Sequence, residues 1–79
     1  MEILVELKGC LARHAPPTAE NGRFSLEIGS RTMVKDILGQ INLAEHFAGL
    51  ILINGRKGKM SGVLQQGDVL TVFPLVAGG

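Results

Sequence analysis

A lone helical stripe, with runs that alternate like β-strands on either side of it, sets the main constraint on this chain. Val34, Ile37, Leu38 and Ile41 recur at i, i+3, i+4 and i+7, the spacing of one apolar helix face. Lys35, Asp36 and Gln40 take the wet face. Before the stripe, Ile3, Val5 and Leu7 alternate with Glu2, Glu6 and Lys8, with Leu4 on the polar side, and Phe24, Leu26 and Ile28 repeat the pattern. After it come Leu50-Ile51-Leu52-Ile53 and Val69-Leu70-Thr71-Val72-Phe73. One helix can cover one face of a small sheet. The chain has 79 residues, enough for one domain, and a single cysteine, Cys10, so no internal disulfide can hold it. Dense aliphatic packing must do so, and a hydrophobic content of 46% is sufficient.

The punctuation between these runs sharpens the reading. Gly9 ends the first strand, and the stretch 10–22, with Pro16-Pro17 and Asn21-Gly22, reads as a long hairpin loop. Thr32 or Ser30 is expected to cap the helix. Gly39 weakens it by about 1 kcal/mol relative to Ala, so it should be short. Residues 42–49 are expected to add one more turn, with Leu43 and Phe47 packed inward. Leu50 to Ile53 is apolar on both faces and predicts a strand covered on both sides. Asn54-Gly55 is a strong two-residue turn signal, continued by 56–59, and Gly67-Asp68 is a second turn in which Asp68 accepts from nearby backbone amides. The order predicts an α+β fold of the β-grasp kind, with one main helix on one face of a mixed four- to five-stranded sheet. In that arrangement the first and last strands lie parallel and adjacent at the centre. Residues 1–75 are expected to form the domain, and 76–79 a flexible Gly-Gly tail.

The last strand points to a docking surface. Thr71 is polar and is placed outward, so period two puts Val69, Phe73 and Leu75 on the same face and Leu70 and Val72 inward. Phe73 and Leu75 are then expected to anchor a partner. Pro74 has no N–H, so pairing should stop there and free the tail. The α-carboxyl of Gly79 is ionised at neutral pH and can attack the α-phosphate of ATP to give an acyl-adenylate. Gly78 and Gly79 lack Cβ and can thread a narrow channel. Fully extended, the stretch 75–79 reaches roughly 16–18 Å.

Ile53-Asn54-Gly55, then Leu64-Gln65-Gln66-Gly67-Asp68-Val69-Leu70, then Phe73-Pro74-Leu75-Val76-Ala77-Gly78-Gly79 resemble the ubiquitin-like sulfur carriers of the MoaD/ThiS family. These are the small subunit of molybdopterin synthase and the thiamine sulfur carrier. The resemblance implies that an adenylyltransferase of the ubiquitin-activating type, which itself binds the ATP, adenylates Gly79. Sulfur then replaces AMP, and the resulting thiocarboxylate donates sulfur to a synthase such as the molybdopterin synthase large subunit or thiazole synthase. Gly79 carries the sulfur, Gly78 gives access, and Phe73, Pro74, Leu75, Val76 and Ala77 bind the partner. The carrier itself would be no enzyme and hold no cofactor. The long 9–22 loop and the Phe73 to Val76 ending favour the molybdopterin branch, and the short passage from helix to Leu50 resembles the thiamine branch. A ubiquitin-like modifier forming isopeptide bonds, or a β-grasp binding module without chemistry, are the competing readings.

Other features point to bland roles. Eight Lys and Arg against seven Asp and Glu give a net charge of +1, without the basic field that binds nucleic acid. Arg56, Lys57 and Lys59 read as a solvated turn, because no aromatic lies among them and Phe24, Phe47 and Phe73 are the only aromatics. Cys10 and His14 have helical i, i+4 spacing, but the flanking Gly9 and Pro16-Pro17 oppose a helix and no third ligand is evident, so no metal site is expected. The N-terminal run has acids inside its apolar stretch and no apolar run long enough to span a bilayer, so a cytoplasmic protein without membrane contact is expected.

Overall fold

Ile3, Val5 and Leu7 are essentially solvent-free, so the alternation of the first run becomes the buried face of β1 (Glu2–Leu7). The structure is a computed structural model that describes residues 1–75. β2 (Arg23–Glu27) pairs antiparallel with β1, α1 (Val34–Gln40) follows, and β3 (Ala48–Ile53), β4 (Arg56–Lys57) and β5 (Val69–Pro74) complete the chain. The five strands lie in the order β2-β1-β5-β3-β4, with β1 and β5 parallel at the centre as expected. α1 buries Val34, Ile37 and Leu38, each 0% exposed, in one core cluster with Val5, Leu70 and Val72 of the sheet. Among the described residues no helix is long and apolar enough to cross a membrane.

The helix is short, as the sequence suggests, but its start differs. Neither Ser30 nor Thr32 caps it. Thr32 instead donates its hydroxyl to the Gly29 carbonyl at 2.7 Å, closing a turn in which Arg31 takes a positive φ of 63°. The first helical amides find backbone partners: Val34 N–H donates to Gly62 O and Lys35 N–H to Met60 O, each at 3.0 Å. The loop before β5 therefore does what a side-chain cap does elsewhere. Asp36 adds a carboxylate that accepts from Met33 N–H at 2.9 Å. Asn42, at φ 57°, ends the helix in the left-handed region.

Several local expectations are corrected. The loop after β1 carries a 3₁₀ helix, Gly9–His14, which drops Leu11 (4% exposed) into the end of the core. Leu43 packs inward at 3% exposure, but Phe47 is 52% exposed, because a second 3₁₀ turn, Glu45–Phe47, directs it outward. β3 is covered on one face only: Ile51 is 6% exposed and Leu50 is 38%. Arg56 and Lys57, read as part of a turn, pair with Ile53 and Leu52 as a short strand. Their side chains remain exposed, in keeping with a solvated basic run.

The two predicted turns lock one another. Asn54 and Gly55 adopt φ of 54° and 81° between β3 and β4. Asn54 Oδ1 accepts from Val69 N–H, and its Nδ2 donates to Asp68 Oδ1, both at 2.9 Å. Asp68 Oδ2 accepts from Gln65 N–H at 2.9 Å. One side chain thus ties the β3–β4 turn to the start of β5. Asn54→Gly keeps the backbone angle and deletes only the side-chain bonds. It should cost about 1–3 kcal/mol in denaturant unfolding, and Asn54→Ala should cost more because it also strains φ.

Candidate functional site

β5 is paired on both sides, and it delivers the chain to the end of the sheet. Lys8 N–H donates to Val72 O and Asn54 N–H to Val69 O, which fixes the strand between its neighbours. Leu70 and Val72 are 0% exposed and anchor its inner face. The outer face carries Val69, Thr71, Phe73 and Leu75. Phe73 lies half-buried opposite the exposed Leu50, and Leu75 is 62% exposed. With Phe47, these side chains form an apolar group where β5 ends, and the expected anchors Phe73 and Leu75 both belong to it.

Thr71 departs from expectation. It lies on the outer face, yet it is only 8% exposed. Central placement explains this: Glu6 of β1 and Leu52 of β3 sit opposite it on either side. Its hydroxyl donates to Glu6 Oε1 at 3.2 Å. Glu6 Oε2 lies 3.1 Å from Arg23 Nε and 3.8 Å from Lys8 Nζ. The middle of the open face is therefore a pinned carboxylate with cations on the β1–β2 side and the apolar group beside it.

Pro74 also departs in part. Pairing does not stop at it, because Leu75 N–H still donates to Phe47 O at 2.9 Å. Alternation along β5 turns the groups of residues 70, 72 and 74 toward β1. The ladder partner of an N–H at Pro74 would be the Lys8 carbonyl, which accepts from Leu11 N–H at 3.1 Å instead, so the β1 side of the ladder ends here. The chain stays tied through Leu75. Val76, Ala77, Gly78 and Gly79 lie outside the described residues.

Two glycines shape this exit, and no motif signals them. A Cβ on Gly49 would stand 2.7 Å from Pro74 O and 2.8 Å from Leu75 Cα, closer than real Cβ contacts. Gly49 sits at the bulge between Ala48 and Leu50, and only a residue without a side chain lets β3 lie this close to the outgoing chain. Gly9, read from sequence as a strand terminator, also lies under Pro74, whose Cγ would be 3.3 Å from an added Cβ. Cys10 is exposed, and its i, i+4 partner His14 instead has Nδ1 3.3 Å from the Ile41 carbonyl. Among the described residues no cluster of three or more His, Cys, Asp or Glu is placed to hold a metal.

The comparisons with known proteins come from structure. No family model matches the sequence, and the curated proteins give no significant match. The HVO 2177 protein of Haloferax volcanii is 23% identical with a TM-score of 0.77, covering 100% of this chain and 87% of its own. Small archaeal modifier protein 1 of the same organism is 20% identical with a TM-score of 0.70, covering 95% of this chain and 98% of its own. The complex of subunits 1 and 2 of the molybdopterin-converting factor from Helicobacter pylori contains a chain 21% identical, with a TM-score of 0.60 and full coverage of both. The chain has the ubiquitin-like β-grasp fold. Its neighbours include both a modifier and a molybdopterin-converting-factor subunit.

The close approach at Gly49 is directly testable. Gly49→Ala should destabilise the fold by about 1–3 kcal/mol and shift the amide resonances of Phe47 and Leu75. Gly39→Ala, where an added Cβ meets nothing within 4 Å, should stabilise it, by about 0.5–1 kcal/mol. Equal effects at the two sites would contradict the tight exit.

Proposed function

We propose that this chain is a sulfur carrier whose C-terminal carboxylate, at Gly79, is the reacting group. The observation that carries the reading is the course of β5. A fully paired central strand ends at Pro74–Leu75 beside the apolar group of Phe47, Leu50, Phe73 and Leu75, and the sequence beyond it is Val-Ala-Gly-Gly. The body is a handle, the apolar group is the grip, and the tail is the part that enters a partner's active site. Burying one such side chain in a partner contributes about 1.5–3 kcal/mol.

The chemistry belongs to partner enzymes. The Gly79 carboxylate attacks the α-phosphorus of ATP held by an adenylyltransferase of the ubiquitin-activating type and expels pyrophosphate. The terminal sulfur of a persulfide displaces AMP, and a thiol cleaves the acyl disulfide to release the thiocarboxylate. A synthase subunit then accepts the sulfur for cofactor biosynthesis, with molybdopterin favoured and thiamine next. The Helicobacter pylori structure, which holds subunits 1 and 2 of a molybdopterin-converting factor together, supports a synthase partner of that type. The chain supplies no acid, base or metal of its own in this scheme.

A second reading has its own support. Small archaeal modifier protein 1 has the same fold, and a modifier shares the adenylate before diverging to an isopeptide bond with a lysine. Intact mass of the protein purified from its own cells separates the two: exchange of one oxygen for sulfur at Gly79 marks the carrier, and covalent adducts on other proteins mark the modifier. An unmodified carboxylate under every condition, or a native chain running beyond Gly79, would refute both. Deleting Gly79 should abolish adenylation and leave the melting temperature unchanged. Phe73→Ala should weaken the adenylyltransferase complex about ten- to hundredfold, the equivalent of about 1.4–2.8 kcal/mol, while a large thermal loss with unchanged affinity would assign Phe73 to the core instead.

A further inference from the structure

We propose that β2 is a self-complementary edge through which a second copy of this chain adds its own β2, making one continuous sheet. The starting point is hydrogen-bond accounting. Leu7 N–H donates to Gly22 O at 2.9 Å, and Ile28 N–H donates to Met1 O at 2.7 Å. Bonded residues alternate in an antiparallel pair, so Phe24 and Leu26 also turn their backbone groups toward β1. Arg23, Ser25 and Glu27 turn theirs away from it. Those of Arg23 are taken, since Arg23 N–H donates to Glu20 O at 2.9 Å and Glu20 N–H to Arg23 O at 3.0 Å. Ser25 and Glu27 are left with N–H and C=O groups that have no partner among the described residues.

What lies around that edge fits a strand. A groove borders it on each face of the sheet, and both grooves are lined by Phe24 and Ser25. The open-face groove adds Thr18 and Arg23, and the helix-side groove adds Leu26 and Ile41. Side chains of an added strand alternate between faces and would enter both.

The particular strand that fits is β2 itself. An antiparallel two-fold centred on Leu26 sets Ser25 opposite Glu27 of the second copy, and Glu27 opposite its Ser25. Each pair then exchanges both N–H···O bonds, which satisfies every free backbone group of the edge. On the helix side the half-buried Leu26 meets its own counterpart and covers it. On the open face, Glu27 of the second copy stands diagonal to Arg23 on one side and to the first copy's Glu27 on the other, so an ion pair and a like-charge contact offset each other and the backbone bonds and Leu26 carry the joint. Centring the two-fold on Ser25 instead would require the edge groups of Arg23, which Glu20 already occupies. The interface is isologous and closes at two copies, and Leu75 stays two strands away, free of the joint.

A joint through one short strand is at the weak end of interfaces, so association is expected to be half complete at about 0.1–1 mM. Sedimentation equilibrium and concentration-dependent amide exchange on the full chain test it. The Ser25 and Glu27 amides should become protected as dimer forms, with the Phe24 and Leu26 amides unchanged. Ser25→Pro removes only an N–H that faces outward on an edge strand, a position where proline is tolerated. It should raise the dissociation constant at least about tenfold while the melt stays cooperative. Glu27→Arg, at an exposed site, should weaken association without touching the fold. A monomer at 1 mM with concentration-independent exchange at Ser25 and Glu27 would overturn the proposal and leave the edge for a strand of another protein. Association of undiminished strength in both variants would overturn it too. None of these readouts depends on the sulfur-carrier reading.

Discussion

The parallel pairing of β1 with β5 is the contact on which the rest depends. It joins the first and last strands of the chain, and a parallel pair cannot be closed by a hairpin. The crossover between them must contain everything else: both 3₁₀ turns, β2, the helix, β3 and β4. Leu4 N–H to Asp68 O at 3.0 Å and Lys8 N–H to Val72 O at 2.9 Å fix its two ends. Between them, Val5, Leu70 and Val72 form the floor on which α1 lies. Because β5 is last and central at once, the outgoing chain starts from the most heavily supported strand of the sheet.

One helix for five strands leaves the other face bare, and the sequence shows how that face is managed. Its centre is not apolar. Glu6, held by Thr71, Arg23 and Lys8, occupies it. Ion pairs this exposed add little stability, but they give the open face a fixed polar centre. The apolar residues sit to the β3 side and toward the exit, in Leu50, Phe73, Leu75 and Phe47. Hydrophobic area thus lies beside the outgoing chain, with a pinned carboxylate beyond it.

The order of elements and the sheet topology were legible because each signal was local: period two in Ile3-Val5-Leu7, the 3.6 period in Val34-Ile37-Leu38, and a turn that Asn54-Gly55 serves because both residues tolerate positive φ. The departures come where tertiary contacts override local chemistry. Thr71 is polar and should be wet, yet a central strand shields it between Glu6 and Leu52. Ser30 and Thr32 are good caps by type, but the 60–62 loop supplies carbonyls to the helix amides first. Phe47 has the right hydrophobicity for the core, but the 3₁₀ turn Glu45–Phe47 directs it outward. Gly49 carries no motif, and its role follows only from where β5 comes to lie. The candidate site was thus readable at Phe73 and Leu75, which follow from alternation, and unreadable at Gly49 and Gly9, which follow from packing. Cys10 and His14 show the converse, a suggestive spacing that the backbone does not turn into a pair.

The sheet's two edges are treated differently, and the difference follows from their residues. β4 is two residues long and carries Arg56 and Lys57, exposed and of one sign. Two such edges brought together would set cation against cation, which is how natural sheets discourage unwanted pairing. β2 has five residues, and its outward set of Arg23, Ser25 and Glu27 carries one cation and one anion in place of two like charges. Glu20 takes the edge groups of Arg23 and leaves those of Ser25 and Glu27 open, which excludes the register centred on Ser25. The open stretch of β2 lies at the greatest distance across the sheet from the cationic edge and away from the chain's exit.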